Sequence, residues 1–303
     1  MKKILISGLI NVETTLAVDG FPINYSPVRY PFFGIRSTVS GVGFNIAKAL
    51  ASLGDEVVLV SMIGNDIHSY QVNEALSKAG VESCYVVQML TDTPQSVILY
   101  SPDGKRHINV DLKDIQNQHY SNDKFTAALD QVDLAVLCNI NFSRDYLARV
   151  KSLAIPIATD VHSISSLEDG YNHDFMAAAN ILFCSDESLP CSPEEWAEKL
   201  FARYPVNILV IGLGAKGAYL ALRRDNIRQR FAPVFTRPVV NTIGAGDALF
   251  SGFLHYFMQT DNAILALRKA MVFASYKIGC SGAADGFLST EALENLCEQL
   301  GID

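Results

Sequence analysis

The sequence predicts an α/β protein with a mainly parallel central sheet and a small β lid. Along most of the 303 residues, short apolar runs alternate with segments of helical periodicity, which is the pattern of successive βα units. Hydrophobic residues make up 49% of the chain and charged residues 18%, so the chain has enough apolar material for one large core. Two extended segments, 12–39 and 84–112, interrupt the alternation and predict the lid. We therefore expect a single domain over residues 1–303 that carries a lid lobe.

The individual elements are predicted from the period of the apolar residues. The predicted strands are 4–7, 57–61, 134–138, 157–159, 181–183 and 208–211. The predicted helices are 44–53, 69–78, 144–153, 193–203, 245–258, 263–278 and 290–299. In the first helix Ile46, Ala49 and Leu50 fall on one face, and Gly54 follows at a position where helices commonly end.

The lid is predicted from two segments that lack a helical period. Residues 12–39 contain Pro22, Pro27 and Pro31 among many aromatic residues. Residues 84–112 read as extended, with a Ser-Pro-Asp-Gly turn near their middle. Such a lobe over one edge of a site would close as a lid and exclude water. Its exposed β face would also allow two subunits to pair, which predicts a homodimer through the lid.

Charge and cysteine usage limit the partners of the chain. The formal net charge of −8 leaves no basic excess for binding nucleic acid or an anionic membrane. No apolar run approaches the length of a membrane span. The first apolar run stops at Asn11 and Glu13 without a cleavage site, so it predicts a strand rather than a signal peptide. The six cysteines show neither CxxC nor zinc spacing, so we expect a cytoplasmic protein. With nucleic acid and membranes disfavoured by the charge, the expected partner is a small molecule.

Residues 241–247 carry the most informative motif of the chain. They read Asn-Thr-Ile-Gly-Ala-Gly-Asp and open an amphipathic helix that has Phe250, Phe253 and Leu254 on one side. The Gly-Ala-Gly start leaves backbone N–H groups bare at the positive end of the helix dipole, which predicts an anion site. Asp247, kept ionised by the dipole, would take a proton from a hydroxyl that attacks a bound phosphoryl group. The alternative is that Asp247 only caps the helix.

A second glycine pair lies in residues 40–45, which read Ser-Gly-Val-Gly-Phe-Asn. This segment lacks the third glycine of a dinucleotide-binding loop, and residues 212–217 lack the ending of a Walker A loop. Asn45 offers a donor and an acceptor to vicinal hydroxyls, and Asn11 and Glu13 follow the first strand, where ligands bind in open α/β sheets. These residues predict polyol recognition. A helix cap for Asn45 and a solvated loop charge for Glu13 are the alternatives.

Together these segments resemble the ribokinase-like (PfkB) carbohydrate kinase family. The carboxy-terminal signature of that family, Asp-Thr-x-Gly-Ala-Gly-Asp, is matched by residues 241–247 with one departure. Its Gly-Gly-x-x-x-Asn-x-Ala run is similar to residues 40–47, its Gly-x-Asp element to residues 63–66, and its nucleotide-side loop to residues 212–218. The resemblance spans nearly the whole chain and implies a ribokinase-like three-layer sandwich.

The resemblance also implies ATP-dependent phosphorylation of a hydroxyl or hydroxymethyl group of a sugar-like acceptor, with Asp247 as the general base. Three further sets of residues receive a role from it. The amides that would hold the transferred phosphoryl group belong to Gly244, Ala245 and Gly246. The residues that would face the acceptor are Asn11, Glu13, Gly41, Gly43 and Asn45. The residues that would flank the nucleotide are Gly212, Gly214, Gly217, Thr242 and Ala274.

Two departures from the family pattern bear on the binding of a monovalent cation and of Mg²⁺. ATP with Mg²⁺ is implied, but Asn241 replaces an Asp that the family often links to a monovalent-cation loop, so dependence on such a cation stays open. Ser185 and Ser188 stand where the family carries an Asn-x-x-Glu element. Asp186 or Glu187 would then organise the water around magnesium.

Two other functions stay open. A nucleoside kinase of the same family is the first, because Tyr25, Tyr30 and Phe32 could stack on a base. A non-catalytic regulator that binds a sugar or a nucleotide is the second, because a fold does not fix a function. Lys105 and Arg106, beside the predicted turn of the lid, are expected to face solvent.

Overall fold

The computed structural model describes residues 2–302. Its strands are β1 (Lys3–Ser7), β2 (Asn11–Ala17), β3 (Ile35–Ser40), β4 (Glu56–Gly64), β5 (Val86–Leu90), β6 (Gln95–Tyr100), β7 (Arg106–Asp111), β8 (Leu134–Leu137), β9 (Ile157–Ser163), β10 (Ile181–Ser185), β11 (Ile208–Gly212), β12 (Ala218–Leu222) and β13 (Ile227–Phe231). Its α-helices are α1 (Val42–Ser52), α2 (Ile67–Lys78), α3 (Asn122–Ala128), α4 (Asn141–Arg144), α5 (Leu147–Ser152), α6 (His173–Ala178), α7 (Pro193–Arg203), α8 (Ala245–Thr260), α9 (Ala263–Lys277) and α10 (Thr290–Gln299).

Nine strands form the central sheet, in the order β13-β12-β11-β10-β9-β8-β1-β4-β5. Neighbouring strands are parallel except at the β11–β12 and β12–β13 pairs. The predicted α/β class with a mainly parallel sheet is therefore confirmed. The antiparallel strands β12 and β13 are absent from the predicted set. The edge strand β13 has few apolar residues and is partly exposed along its length, whereas β12 is apolar and buried, so its sequence carried a signal that the prediction did not use.

The central sheet separates two hydrophobic cores. Ile4 and Ile6 of β1 point into a core that they share with α1, α2, α8, α9 and α10. Leu5, between them, points into the opposite core, which α3 to α7 cover. This alternation follows from the two-residue period of a strand, and it produces the predicted three layers. Within residues 2–302, no helix is both long enough and apolar enough to span a membrane.

Four strands form a smaller sheet in the order β3-β2-β6-β7, which confirms the small β lid. The β2–β6 pair is parallel and the two outer pairs are antiparallel. The second half of this sheet is shorter than the predicted segment 84–112. Val86 of β5 instead pairs with Ser61 of β4 in the central sheet, because α2 returns the chain to the side of β4 as an ordinary βα crossover does.

Two helices show how local sequence sets their limits. Helix α7 covers the predicted residues 193–203, because Pro193 occupies its first position and the Ser192 hydroxyl accepts a bond from the Glu195 N–H at 3.2 Å. The predicted helix 144–153 is instead divided into α4 and α5. The break lies at Tyr146, whose buried ring stacks on Phe125 of α3.

Candidate functional site

Asp247 lies in the first turn of α8 and is bound to α1. Its carboxylate Oδ2 accepts a hydrogen bond from Asn45 Nδ2 at 2.7 Å, and its side chain is buried. Burial raises the pKa of Asp247, and the bond from Asn45 opposes that rise. Helix α1 has Gly41 as its N-cap residue without a side-chain cap, so the alternative that Asn45 is a helix cap is wrong.

Glu13 belongs to the same buried group of side chains. The Ser40 hydroxyl donates to Glu13 Oε2 at 3.0 Å and lies 3.3 Å from Asn45 Oδ1. Only 4% of Glu13 is exposed, and burial raises the pKa of its carboxyl. Glu13 is therefore not a solvated loop charge. The chain Glu13–Ser40–Asn45–Asp247 joins strand β2 of the lid to the start of α8.

Two buried oxygen atoms in this group have no hydrogen-bond partner among residues 2–302. Asn11 Nδ2 donates to Ser96 Oγ at 2.9 Å, but Asn11 Oδ1 accepts nothing. Glu13 Oε1 also accepts no hydrogen bond of good geometry, although the backbone N–H of Ala283 near this carboxylate lowers its pKa. Leaving a buried acceptor unsatisfied costs about 1–3 kcal/mol, so such atoms commonly bind water or a ligand. Both atoms accept hydrogen bonds only, which suits the hydroxyl groups of a bound polyol.

Of residues 244–246 at the start of α8, one has the accessible backbone expected of an anion site. Gly244 adopts φ 72°, and a Cβ at this residue would lie 2.5 Å from the carbonyl oxygen of Ala283. The backbone conformation and the close contact with Ala283 therefore require glycine at residue 244. A Cβ at the exposed Gly246 would instead have Asp160 Oδ2 as its nearest neighbour outside α8, at 3.9 Å, so a side chain or a ligand has room beside this residue. The N–H of Ala245 already donates to the carbonyl of Thr242 at 3.2 Å, so Gly246 is the best placed of the three to contact an anion.

The other predicted glycines are distributed between packing and exposed positions. Gly43 of α1 lies close to Gly8, which follows β1. A Cβ at Gly43 would lie 2.6 Å from the carbonyl carbon of Gly8, so glycine is needed here for the packing of α1 against the sheet. Gly41 precedes that helix, and its carbonyl accepts from the Asn45 N–H at 2.8 Å. Gly212 ends β11, and a Cβ there would lie in ordinary contact with the Cys184 carbonyl oxygen at 3.9 Å. A 3-10 turn follows, bounded by Gly214 and Gly217, whereas Ala274 is half-buried on α9.

Asn241 holds the loop before α8 with both ends of its amide. Its Nδ2 donates to the Ser281 carbonyl at 2.7 Å, and its Oδ1 accepts from the Ile243 N–H at 3.0 Å. An ionised Asp has no hydrogen to donate to Ser281, so the amide is the group that this geometry requires. The departure from the family signature at this position thus has a structural reason.

Three carboxylates lie near the ends of β9 and β10, but they do not form a metal cage. Asp160 of β9 is bound to the N–H of His162 at 2.8 Å, and Asp186 and Glu187 begin a 3-10 turn after β10. Within residues 2–302, no group of three or more His, Cys, Asp or Glu side chains is arranged to hold a metal. Mg²⁺ usually keeps several waters and takes one or two carboxylates together with phosphate oxygens, which fits this sparse set.

Arg106 is exposed, as expected, but its side chain also connects the lid to the loop before α8. Its Nη1 donates to Thr242 Oγ1 at 2.9 Å and to the Thr242 carbonyl at 3.1 Å, and its Nη2 lies 3.5 Å from Glu187 Oε1. Arg36 of β3 makes a similar contact to Asp285 at 3.0 Å. Neither arginine has a sequence signal, because each acts on residues more than 80 positions away. Asp160, also missed, had one signal, its place near the end of a parallel strand.

Comparison with known proteins places this geometry in context. Residues 1–291 match the family model described as pfkB family carbohydrate kinase. The acarbose 7(IV)-phosphotransferase of Actinoplanes sp. is 23% identical over 296 residues, covering 96% of each chain. The pseudouridine kinase of Escherichia coli is 24% identical over 283 residues, covering 87% of each chain. The solved structure of a microbiome-derived acarbose kinase has a TM-score of 0.87 at 23% identity and covers 98% of this chain and 99% of that one, which establishes the shared fold.

Proposed function

Because the chain belongs to the pfkB family of carbohydrate kinases, we propose that it transfers a phosphoryl group from ATP to a hydroxyl or hydroxymethyl group of a sugar or sugar-like small molecule. The observation that carries the proposal is the buried chain from Glu13 to Asp247, with unpartnered oxygens on Asn11 and Glu13 at its acceptor end. A helix cap alone would need none of these groups. The acceptor would bind at the unpartnered oxygens, with its reactive hydroxyl directed at Asp247.

The proposed step needs one base and one anion site. The acceptor hydroxyl oxygen bonds to the γ-phosphorus while the bond from that phosphorus to the β–γ bridging oxygen breaks. The hydroxyl proton passes to Asp247, and ADP departs. The exposed amide at Gly246 and the positive end of the α8 dipole stabilise the charge on the transferred group. Mg²⁺, held through phosphate oxygens and the carboxylates of Asp160, Asp186 or Glu187, would neutralise part of the phosphate charge.

The lid is held over this site by its two arginines. Arg106 and Arg36 attach it to the loops that contain Thr242 and Asp285. The unpartnered oxygens of Asn11 and Glu13 are buried on lid strand β2, so substrate entry requires these contacts to open. Closure then excludes water, which would otherwise compete with the acceptor for the phosphoryl group.

The proposal is tested by an ATP-consumption screen with magnesium, in which ADP release is measured against a panel of sugars, sugar phosphates, aminoglycoside-like polyols and nucleosides. We expect acceptor-dependent ADP release with at least one sugar-like compound. A response restricted to nucleosides would favour the nucleoside-kinase alternative. Binding of panel members without any ADP release would favour the non-catalytic regulator.

Glu13→Ala is expected to raise the acceptor KM by about tenfold to a hundredfold with little change in the ATP KM, because hydrogen bonds to charged groups contribute about 1.5–3 kcal/mol. Steady-state kinetics with each substrate varied in turn measures the two constants. The control is Thr14→Ala, because Thr14 is the next residue of β2 and bonds Ser37 on the exposed side of the sheet. Equal acceptor KM values in Glu13→Ala and wild type would remove Glu13 from the acceptor site.

Arg106→Ala is expected to lower kcat/KM for both substrates by about tenfold, because each closure of the lid then lacks the charged contacts to Thr242 and Glu187. The matched control is Lys105→Ala, because the exposed Lys105 side chain pairs only locally, with Asp103 at 3.0 Å. If both variants keep the wild-type kcat/KM, Arg106 has no part in lid closure.

A further inference from the structure

Lys277 is a buried charged residue that the proposed step does not yet use. It is the last residue of α9, and none of its surface is exposed. Its ammonium nitrogen Nζ donates to the carbonyl oxygen of Ile243, the residue directly before Gly244. The ammonium therefore touches the loop that sets the start of α8 and the position of Gly246.

Three carboxylates act electrostatically on this ammonium. They belong to Asp247 of α8, Glu13 of β2 and Asp285 in the loop after α9, and the Cys280 thiol of the same loop acts in the same direction. Burial lowers the pKa of Lys277 to about 8, and the three carboxylates oppose that fall. Within residues 2–302, these are the titratable groups with the largest electrostatic effect on it.

We propose that Lys277 is a positioning residue of the phosphoryl-transfer site, whose ammonium serves as a fixed internal cation that holds the loop 241–246 and balances the carboxylates of Asp247 and Glu13. The inference rests on the proposed function. It also implies that the reaction requires no dissociable monovalent cation at this loop, since the position beside the Ile243 carbonyl is filled by a side chain.

A purely structural role explains this arrangement poorly. A buried lysine pays a large desolvation cost, and an apolar residue of similar length often stabilises such a position better. The neutral Asn241 already holds the same loop, with Nδ2 donating to the Ser281 carbonyl and Oδ1 accepting from the Ile243 N–H. What Asn241 lacks is positive charge, and Lys277 supplies it to the buried carboxylates of Asp247 and Glu13.

The test compares Lys277→Met, which keeps the length without the charge, with Lys277→Ala, which leaves room for an ion. The control is Lys269→Ala, because Lys269 lies on the same helix but pairs with Glu294 at 2.6 Å outside this cluster. We expect Lys277→Met to lose about 10²–10³-fold in kcat with both KM values within about threefold of wild type, as for loss of one preorganised electrostatic group. Wild type should keep its kcat when potassium is replaced by tetramethylammonium. Lys277→Ala should regain activity with potassium or ammonium ions.

The pH profile separates a charge role from a packing role. Wild-type kcat/KM is expected to fall as pH rises through about 8, because the ammonium then loses its proton in the free enzyme. Lys277→Met has no such proton to lose, so its alkaline limb at this pH should be absent. An identical alkaline limb in wild type and Lys277→Met would overturn the inference. A wild-type enzyme that needs potassium, or a Lys277→Met variant with the full wild-type kcat, would overturn it as well.

A readout without turnover keeps this inference distinct from the proposed function. The thermal unfolding midpoint of Lys277→Ala is expected to rise in potassium or ammonium chloride relative to tetramethylammonium chloride at equal ionic strength, because a small cation binds the vacated position in the folded state. Wild type and Lys269→Ala should show no such difference. If wild type phosphorylates no acceptor, the proposed function fails. The unfolding midpoint of Lys277→Ala then remains as the test of whether the Lys277 ammonium occupies a cation position. A midpoint of Lys277→Ala that is independent of the cation overturns the inference.

Discussion

Asp247→Asn is expected to fold and to lose kcat by about 10²–10⁴-fold, which is the usual contribution of a positioned general base. The amide keeps the shape of the side chain and its place beside Asn45 but cannot accept the proton of the acceptor hydroxyl. Steady-state ADP release measures the loss, and circular dichroism with thermal unfolding checks the fold. The KM values should change much less than kcat, because the base acts on the transition state.

The matched control for this variant is Asp261→Asn. Asp261 ends α8 at φ 52°, a backbone conformation that Asn also adopts readily, and it lies at the opposite end of the helix from Asp247. We expect wild-type kcat in Asp261→Asn. A kcat for Asp247→Asn within a few-fold of wild type would show that Asp247 is not the base.

Gly246→Val should abolish most turnover while it leaves the fold intact. The added side chain occupies the room beside the first turn of α8, where the nearest atom outside α8 is 3.9 Å from its Cβ, and it blocks the approach of a phosphoryl group to the amide. Loss of one donor of this kind costs about 10²–10³-fold in kcat. Kinetics and the unfolding midpoint are measured together.

Gly252→Val provides the contrasting variant on the same helix. A Cβ at Gly252 would lie 3.1 Å from Cα of Ala270 on α9, so overpacking should cost about 1–3 kcal/mol of stability. Gly246→Val should thus lose activity with a near-normal unfolding midpoint, whereas Gly252→Val should lose stability. An active Gly246→Val enzyme would exclude the anion site at the start of α8.

The sequence was sufficient for most of the architecture because its signals are local. The alternation of apolar runs and helical periods predicts the parallel sheet, and the Gly-Ala-Gly start with Asp247 predicts the position of the candidate base. Short elements without a clear period, such as α3 and the edge strand β13, escape such reasoning. The predicted lid segment began too early, near residue 84, because β5 is a short extended segment that could belong to either sheet. Only its pairing with β4 assigns it to the central sheet.

The charges of the site were harder to predict, because they depend on contacts between distant parts of the chain. Lys277 looks like an ordinary basic residue in the last turn of a helix, and only the fold places its ammonium beside Ile243. Arg106 likewise gains its role from a contact 136 positions away. The dipole of α8 predicts an ionised Asp247, but burial, which the sequence does not report, raises its pKa.

The raised pKa of Asp247 gives the central claim its most direct measurement, the pH dependence of single-turnover phosphoryl transfer in wild type and in Asp247→Asn. The base must be ionised to accept a proton, so wild-type transfer should fall as pH decreases through a value above the ordinary 3.8 of an aspartate. The slow residual transfer of Asp247→Asn should lack that acid limb, while Glu13→Gln, which keeps Asp247, should retain it. The same acid limb in wild type and Asp247→Asn would contradict the account, because some other group would then take the proton.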